Sequence, residues 1–173
     1  MLPKVKPQQR TKTPEQALTA LMRMAARAER SSGDALRLMQ RWGVEPAERQ
    51  RVLGKLIEMK FIDDSRYAAA FVRDKLRFSG WGAYKIKAAL RTKGIAAEII
   101  DEAIAAETDS NRMGDRLAAM LERKARNVKY TTRYELKTKL MRYGASLGYD
   151  FETVADAVAR TIKNTNDECD EFL

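Results

Sequence analysis

Apolar residues recur at intervals of three and four along most of the chain, and this spacing predicts amphipathic helices. Proline, glycine and short polar residues divide the pattern into nine segments, because these residues favour helix starts and stops. The first segment starts at Pro14 with Thr13 as its N-cap, Gly43 ends the second, and Asp63 or Asp64 caps the fourth. No stretch alternates apolar and polar residues for long enough to predict a strand. The predicted fold class is therefore all-α.

The helical segments recur with a period of about 50 residues. Gly43, Gly94 and Gly144 lie 51 and 50 residues apart, and YKIKAALRTKG at 84–94 aligns with YELKTKLMRYG at 134–144. After Gly144 four extra residues delay the pattern, which resumes with Glu98 and Ile100 aligned on Glu152 and Val154. We predict an elongated tandem array of three three-helix repeats. The predicted boundaries are a flexible basic arm at 1–13, repeats at 14–61, 62–108 and 109–163, and an acidic tail at 164–173.

Composition changes this picture mainly through charge. The 173 residues carry a net charge of +9, which favours an acidic protein or a nucleic acid as partner. The chain has no histidine and a single cysteine, Cys169, so the usual catalytic pairs and zinc motifs cannot form. Asp63 and Asp64 are the nearest approach to a paired carboxylate site, but their position favours helix capping. We expect no enzyme, catalytic residue, metal or cofactor.

Apolar runs bear on the location of the protein. None approaches the ~18 residues that a membrane span needs, and the first residues lack the apolar core of a secretory signal. We therefore expect a cytoplasmic protein that does not enter a membrane.

The candidate binding residues lie on polar faces of the helices. On a helical wheel Tyr84, Lys87 and Arg91 point away from Ile86 and Leu90, and the third repeat has an equivalent tyrosine and lysine. A solvated helical face would also account for these residues. An aromatic side chain beside cations can instead stack and form ion pairs together. The predicted partner-binding residues are Arg66, Arg73, Arg77, Tyr84, Lys87, Arg91, Lys93, Tyr134 and Lys137.

Several of these segments resemble the RecX family, bacterial regulators of the RecA recombinase. The likeness lies in Arg30-Ser31 with Asp34, in the segment FIDDSRYA at 61–68, in Gly82 and in LRTKGI at 90–95. It extends over about residues 14–163. The chain departs from the family pattern at Asp34-Ala35, where the family usually has glutamate and leucine, and in the Ala-Ser-Leu-Gly insertion after Gly144.

The resemblance implies a monomeric helical regulator acting in DNA repair, homologous recombination and the SOS response. It would bind RecA filaments along their groove and limit filament growth, ATP hydrolysis and strand exchange. The alternative is a helical-repeat protein that binds single- or double-stranded DNA directly. Whether binding requires the recombinase distinguishes the two hypotheses, since binding to DNA alone should weaken steeply with salt.

Overall fold

The structure, a computed structural model, describes residues 11–107 and 110–170. Within these ranges it contains nine α-helices and no strand, which confirms the all-α prediction. A π-helical turn, Lys75–Ser79, directly follows the fourth helix. The helices are α1 Pro14–Ala25, α2 Ser32–Arg41, α3 Pro46–Glu58, α4 Asp64–Asp74, α5 Ala83–Thr92, α6 Ala97–Glu107, α7 Ser110–Asn127, α8 Arg133–Leu147 and α9 Phe151–Asp170.

The chain divides into two compact units. The first extends to Ala68 and includes Arg91–Ile99, and the second comprises Ala69–Leu90 and the chain from Ile100 onward. In the first unit α1, α2 and α3 pack around a core that includes Leu21, Met39 and Leu56. In the second unit α7, α8 and α9 pack around a core that includes Leu117, Leu140 and Val158. The boundaries of the three repeats stay a prediction, and residues 1–10 of the basic arm lie outside the described residues.

The two adjacent aspartates cap two different helices. The Asp63 carboxylate accepts a hydrogen bond from the backbone N–H of Arg66 at 2.9 Å and caps α4. The Asp64 carboxylate instead accepts hydrogen bonds from the backbone N–H and the hydroxyl of Ser32, at the start of α2. Both carboxylates therefore satisfy backbone donors that a helix start leaves unpaired. The predicted capping role is confirmed, and its extension to α2 was not expected.

The predicted stop at Gly144 is wrong. Helix α8 continues through Gly144 and ends at Gly148, where φ is +86°. Gly144 is a packing residue, since a Cβ there would lie 2.7 Å from a methyl carbon of Val154. The four residues that delay the repeat therefore form one further helical turn. Gly148, not Gly144, takes the left-handed conformation that Gly94 adopts after α5, with φ +80°.

Helix α9 also exceeds its predicted length. The apolar pattern predicts an end near Asn164, whereas the helix runs to Asp170. No proline or glycine follows Phe151, and each added residue gains a backbone hydrogen bond at little nucleation cost. The helix thus includes the first seven residues of the predicted acidic tail, 164–170. The remaining residues, 171–173, lie outside the described part of the chain.

In the first unit the start of α2 packs directly on the turn after α5. A Cβ on Gly33 would overlap the backbone carbonyl of Lys93, and its Cα lies close to Gly94. The fully buried Ser31 hydroxyl accepts a hydrogen bond from the N–H of Asp34 and donates one, at 3.0 Å, to the Lys93 carbonyl. The N-cap of α2 therefore also satisfies a backbone acceptor at the end of another helix.

The second unit contains a similar junction between α5 and α8. The N–H of Gly82 donates to the Leu147 carbonyl at 2.8 Å, and the N–H of Tyr84 donates to the Gly148 carbonyl at 3.1 Å. A Cβ on Gly82 would overlap the Gly148 backbone. Unpaired N–H groups at one helix start are therefore matched to unpaired carbonyls at another helix end. Both junctions require glycine because the two backbones touch.

We predict that Gly33→Ala destabilises the protein by about 1–3 kcal/mol, because the added methyl group must displace backbone at 93–94. Gly54→Ala is the matched control. Gly54 is exposed on α3, and a Cβ there would contact nothing within 4 Å. Alanine should therefore stabilise α3 by about 0.5–1 kcal/mol. Urea unfolding of both variants measures the difference, and equal effects of the two substitutions would contradict the proposed junction.

Candidate partner interface

Two exposed tyrosines occupy equivalent positions on α5 and α8. Tyr84 is 67% exposed and Tyr134 is 79% exposed, although each side chain is large and partly apolar. Ile86 and Leu90 on α5, and the corresponding Leu136 on α8, are buried. The helical wheel therefore places the core and the polar faces correctly in both repeats. Tyrosine at an exposed site offers a large rigid contact area together with a polar hydroxyl.

The lysines beside these tyrosines have different environments. The Lys87 ammonium lies 2.6 Å from a carboxylate oxygen of Asp101 on α6, and both side chains remain partly exposed. Lys137 is exposed and forms no ion pair with any residue that the structure describes. Arg91, on the last turn of α5, is likewise exposed without an ion pair among those residues. The lysine beside the tyrosine is therefore paired with an internal acid on α5 but not on α8.

Arg66, Arg73 and Arg77 do not share a regular α-helical face. Helix α4 ends at Asp74, and Arg77 lies in the π-helical turn, which changes the spacing of side chains. Arg66 pairs with Glu29 at 2.6 Å, and Arg73 lies 3.4 Å from Glu107. The Arg77 guanidinium is placed over the ring of its neighbour Phe78, at 5.7 Å from the centroid. All three arginines are nevertheless exposed.

Lys93 belongs to a charged cluster at the start of α2. Its ammonium lies 3.1 Å from the carboxylate of Asp34, which also accepts a hydrogen bond from Arg37 at 2.7 Å. The Arg37 guanidinium in turn donates to the Thr92 carbonyl at 3.0 Å. Burial raises the pKa of Asp34, but the hydrogen bonds and charges of Arg37 and Lys93 outweigh burial and hold it below its ordinary value. Lys93 therefore has a structural role as well as a predicted binding role.

The nine predicted residues fall into two groups. Four have an internal ion pair: Arg66, Arg73, Lys87 and Lys93. Among the described residues the other five have none: Arg77, Tyr84, Arg91, Tyr134 and Lys137. Exposed ion pairs are worth only about 0.2–1 kcal/mol, so a partner carboxylate or phosphate can replace the internal acid. Arg66, Arg73 and Lys87 are therefore available for binding at a small additional cost, whereas Lys93 is held by the less exposed Asp34.

Two further exposed aromatic residues, both phenylalanines, were not predicted from the sequence. Phe78 is 79% exposed beside Arg77, and Phe151, which the apolar pattern assigns to the core face of α9, is 78% exposed. Phe151 is the first residue of its helix, where one flank is open to solvent. Phe78 lies seven residues after Phe71, in register with the apolar stripe, so the sequence gives no signal of its exposure. It belongs to the π-helical turn, which changes the spacing of side chains. Both rings enlarge the aromatic content of the candidate interface.

Trp81 forms a cation–π cluster within the second unit. The ammonium groups of Lys75 and Lys85 each lie 4.8 Å from its ring centroid. Phe71 meets the same indole edge-on, with ring centroids 6.4 Å apart. Lys85 also donates to the Ser146 carbonyl at 2.9 Å. Trp81, which precedes α5, therefore forms cation–π contacts with both Lys75 and Lys85. Each such contact is worth about 0.5–1 kcal/mol at an exposed site.

Residues 11–107 and 110–170 contain neither a metal-binding cluster nor a membrane-spanning helix. No group of three or more histidine, cysteine, aspartate or glutamate side chains there is arranged to hold a metal ion. None of the helices they form is long and apolar enough to cross a membrane.

Comparison with known proteins gives a consistent family. The family model described as "RecX, second three-helix domain" matches residues 63–104. A "Regulatory protein RecX" of Chromohalobacter salexigens is 31% identical over 146 residues, which cover 83% of this chain and 91% of that protein. One from Clostridium botulinum (strain Alaska E43) is 32% identical over 105 residues, 60% of this chain and 48% of its own length. The chain thus spans about half the length of the clostridial relatives it matches.

Solved structures agree on the fold. The crystal structure of RecX from Lactobacillus salivarius superposes with a TM-score of 0.75 at 19% identity, and the match covers 87% of this chain and 96% of that one. A second, titled "Crystal structure of regulatory protein RecX", gives 0.70 at 24% identity, covering 87% and 71%. At these identities the likeness supports the fold, an array of three-helix repeats.

Asp34→Asn tests the charged cluster at the start of α2. Because the folded-state pKa of Asp34 is depressed, its contribution to stability is complete above the ordinary pKa of about 3.9 and is lost as pH falls through the folded value. We expect the variant to be less stable than the original protein by about 1 kcal/mol at pH 7. The difference in free energy of unfolding, measured with urea, should shrink toward zero below about pH 3. A difference independent of pH would show that the carboxylate charge is not what stabilises this cluster.

Proposed function

The chain belongs to the RecX family, and on that premise we propose that it is a non-catalytic regulator of the RecA recombinase. It binds the nucleoprotein filament that RecA forms on DNA, along the filament groove. Bound there, it limits filament growth, ATP hydrolysis and strand exchange. The proposal applies to a monomer that acts through surface contacts and needs no metal or cofactor.

One observation carries this proposal. The pair formed by Tyr84 and Lys87 is repeated by Tyr134 and Lys137, and both tyrosines are largely exposed. An exposed aromatic ring has an unfavourable contact with water, and a cation three residues later lies on the same helix face. Their recurrence on two helices supports a surface that contacts a partner at more than one point.

A filament is a suitable partner for repeated contacts. Its subunits present the same surface many times, so successive repeats of one chain can meet equivalent sites. Once the first contact has formed, the second is intramolecular and takes place at a high effective concentration. Contacts that are weak alone can then give strong binding, provided that their spacing matches the partner. A chain held in this way would obstruct the addition of subunits and the movement of DNA within the groove.

Direct DNA binding is a second candidate, which the environment of Phe78 favours. This exposed ring lies beside Arg77, and stacked bases with nearby phosphates suit such a pair. The net charge of +9 adds a sequence-independent attraction. Pull-down with naked single-stranded DNA and with recombinase-coated DNA separates the two candidates. Naked-DNA binding should weaken with a salt slope near −0.9 per phosphate for a duplex and about −0.7 for a single strand.

Simultaneous replacement of Tyr84, Lys87 and Arg91 by alanine should weaken inhibition of strand exchange at least tenfold. A buried interface tyrosine or arginine often costs ~2 kcal/mol on truncation, and each ~1.4 kcal/mol is a factor of ten. The fold should persist, since alanine is a good helix former and Tyr84 and Arg91 are exposed. Only the exposed ion pair of Lys87 with Asp101 is lost internally, and melting temperature monitors that loss.

The comparison variant replaces Arg66, Arg73 and Arg77, which belong to the same predicted repeat. Two of these arginines already have internal acids, so we expect a smaller loss of inhibition, below about threefold. Full inhibition by a folded Tyr84/Lys87/Arg91 variant would assign that face to solvent. Loss in the arginine variant alone would move the interface to α4 and the turn that follows it.

A further inference from the structure

A groove lies between α8 and α9 of the second unit. It has a volume of about 490 Å³ and a mainly apolar lining. Tyr134 and Phe151 stand at this groove with 79% and 78% of their surface exposed. The lining residues are Arg133, Tyr134, Lys137, Met141, Phe151, Ala155, Ala159, Ile162 and Lys163. Exposed aromatic rings around an apolar cleft on a folded domain are typical of a docking site.

The equivalent position in the preceding repeat shows what this groove lacks. The alignment of α5 with α8 pairs Lys87 with Lys137, and the alignment of α6 with α9 pairs Asp101 with Ala155. In the preceding repeat the lysine and aspartate form an ion pair at 2.6 Å. In the last repeat Lys137 and Ala155 line the same groove, and the carboxylate is replaced by a methyl group. The last repeat therefore has the lysine without an acid at the position of Asp101.

The charges around the groove have one sign. Arg133, Lys137 and Lys163 are exposed, and none forms an ion pair with an acidic side chain that the structure describes, within residues 11–107 and 113–164. Among the side chains that the structure describes, no carboxylate lines the groove. Three exposed cations beside an apolar cleft favour a ligand that combines negative charge with apolar side chains. A purely apolar ligand would leave the cations without partners, and a purely anionic one would leave the rings in water.

We propose that the α8–α9 groove binds an acidic peptide segment of a protein partner, with one carboxylate at Lys137 in the place that Asp101 takes beside Lys87. An aromatic or aliphatic side chain of the segment packs between Tyr134, Phe151 and Met141. This is the helix-in-groove or side-chain-in-pocket mode of recognition, in which an apolar anchor supplies affinity and flanking charges supply orientation.

Two features favour a peptide over nucleic acid at this groove. The group that meets the equivalent lysine in the preceding repeat is a carboxylate, so the geometry already suits a carboxylate. The groove lining between the rings is aliphatic, from Met141, Ala155 and Ile162, whereas bases bind best on flat aromatic platforms. The inference deepens the proposed function, since it rests on a regulator with a protein partner and names the chemistry of the segment that is bound.

The test measures binding of a labelled peptide to the full chain, without recombinase or DNA. The probe is a fluorescein-labelled amphipathic peptide of about 15 residues, long enough to form a helix, with an acidic face and a leucine–phenylalanine stripe. Ala155→Asp restores the internal carboxylate of the preceding repeat and should weaken binding at least about tenfold, as should Phe151→Ala. Asp101→Ala is the matched control. It removes the natural acid outside the groove and should change affinity by less than about twofold.

Each other outcome overturns the proposal. No binding at peptide concentrations up to about 1 mM would show that the groove does not recognise this class of ligand. Equal binding of a peptide with asparagine and glutamine in place of its acids would remove the role of charge. Peptide binding that Ala155→Asp leaves unchanged would place the contact elsewhere. A labelled thymidine oligonucleotide whose binding falls in the same two variants, while the peptide fails to bind, would assign the groove to nucleic acid. Since no recombinase is present, failure here is distinct from failure of strand-exchange inhibition.

Discussion

The packing of one helix start against another helix end is the constraint on which much of this structure depends. At Gly33 and at Gly82 the backbone of a helix start touches the turn that follows a second helix, and no side chain fits between them. The contact joins groups that each helix leaves unpaired, N–H donors at one end and carbonyl acceptors at the other. In the α5–α8 junction the hydrogen bonds run directly from backbone to backbone. In the α2 junction the Ser31 hydroxyl lies between the two backbones, accepting from the Asp34 N–H and donating to the Lys93 carbonyl. A repeat built in this way satisfies its helix ends through its neighbour.

The same constraint explains which parts of the fold could be predicted. Helix starts depend on local chemistry, so the N-cap Thr13 and an aspartate cap at 63 or 64 were identified from sequence and found at those positions. Helix ends depend on which glycine meets another backbone, and sequence alone does not provide that information. Gly144 fits the repeat spacing better than Gly148, yet Val154 packs against the former and only the latter adopts positive φ. Spacing therefore identified the repeat but misplaced one of its boundaries.

The candidate interface was predictable to a similar extent. Exposure of Tyr84 and Tyr134 follows from the helical wheel, because the opposite face carries the core residues Ile86 and Leu136. The ion pairs could not be predicted, since Lys87 meets an acid 14 residues away and Lys93 meets one 59 residues away. Such pairs depend on packing between helices, and a helical wheel describes only one helix at a time. Phe151 was misassigned for a related reason, since its periodicity is that of the core but its neighbour across the groove is Tyr134.

Differences between repeats carry more functional information than their similarities. Positions that build the helices recur, as with Ile86 and Leu136, and they account for the fold without distinguishing one repeat from another. Asp101 and Ala155 occupy equivalent positions with opposite consequences, because one neutralises a surface lysine and the other leaves it unneutralised. An exposed ion pair adds little stability, so loss of the acid costs the fold almost nothing while it alters the charge offered to a partner. Single substitutions at exposed positions that add little to stability can therefore give the repeats of one protein distinct binding faces.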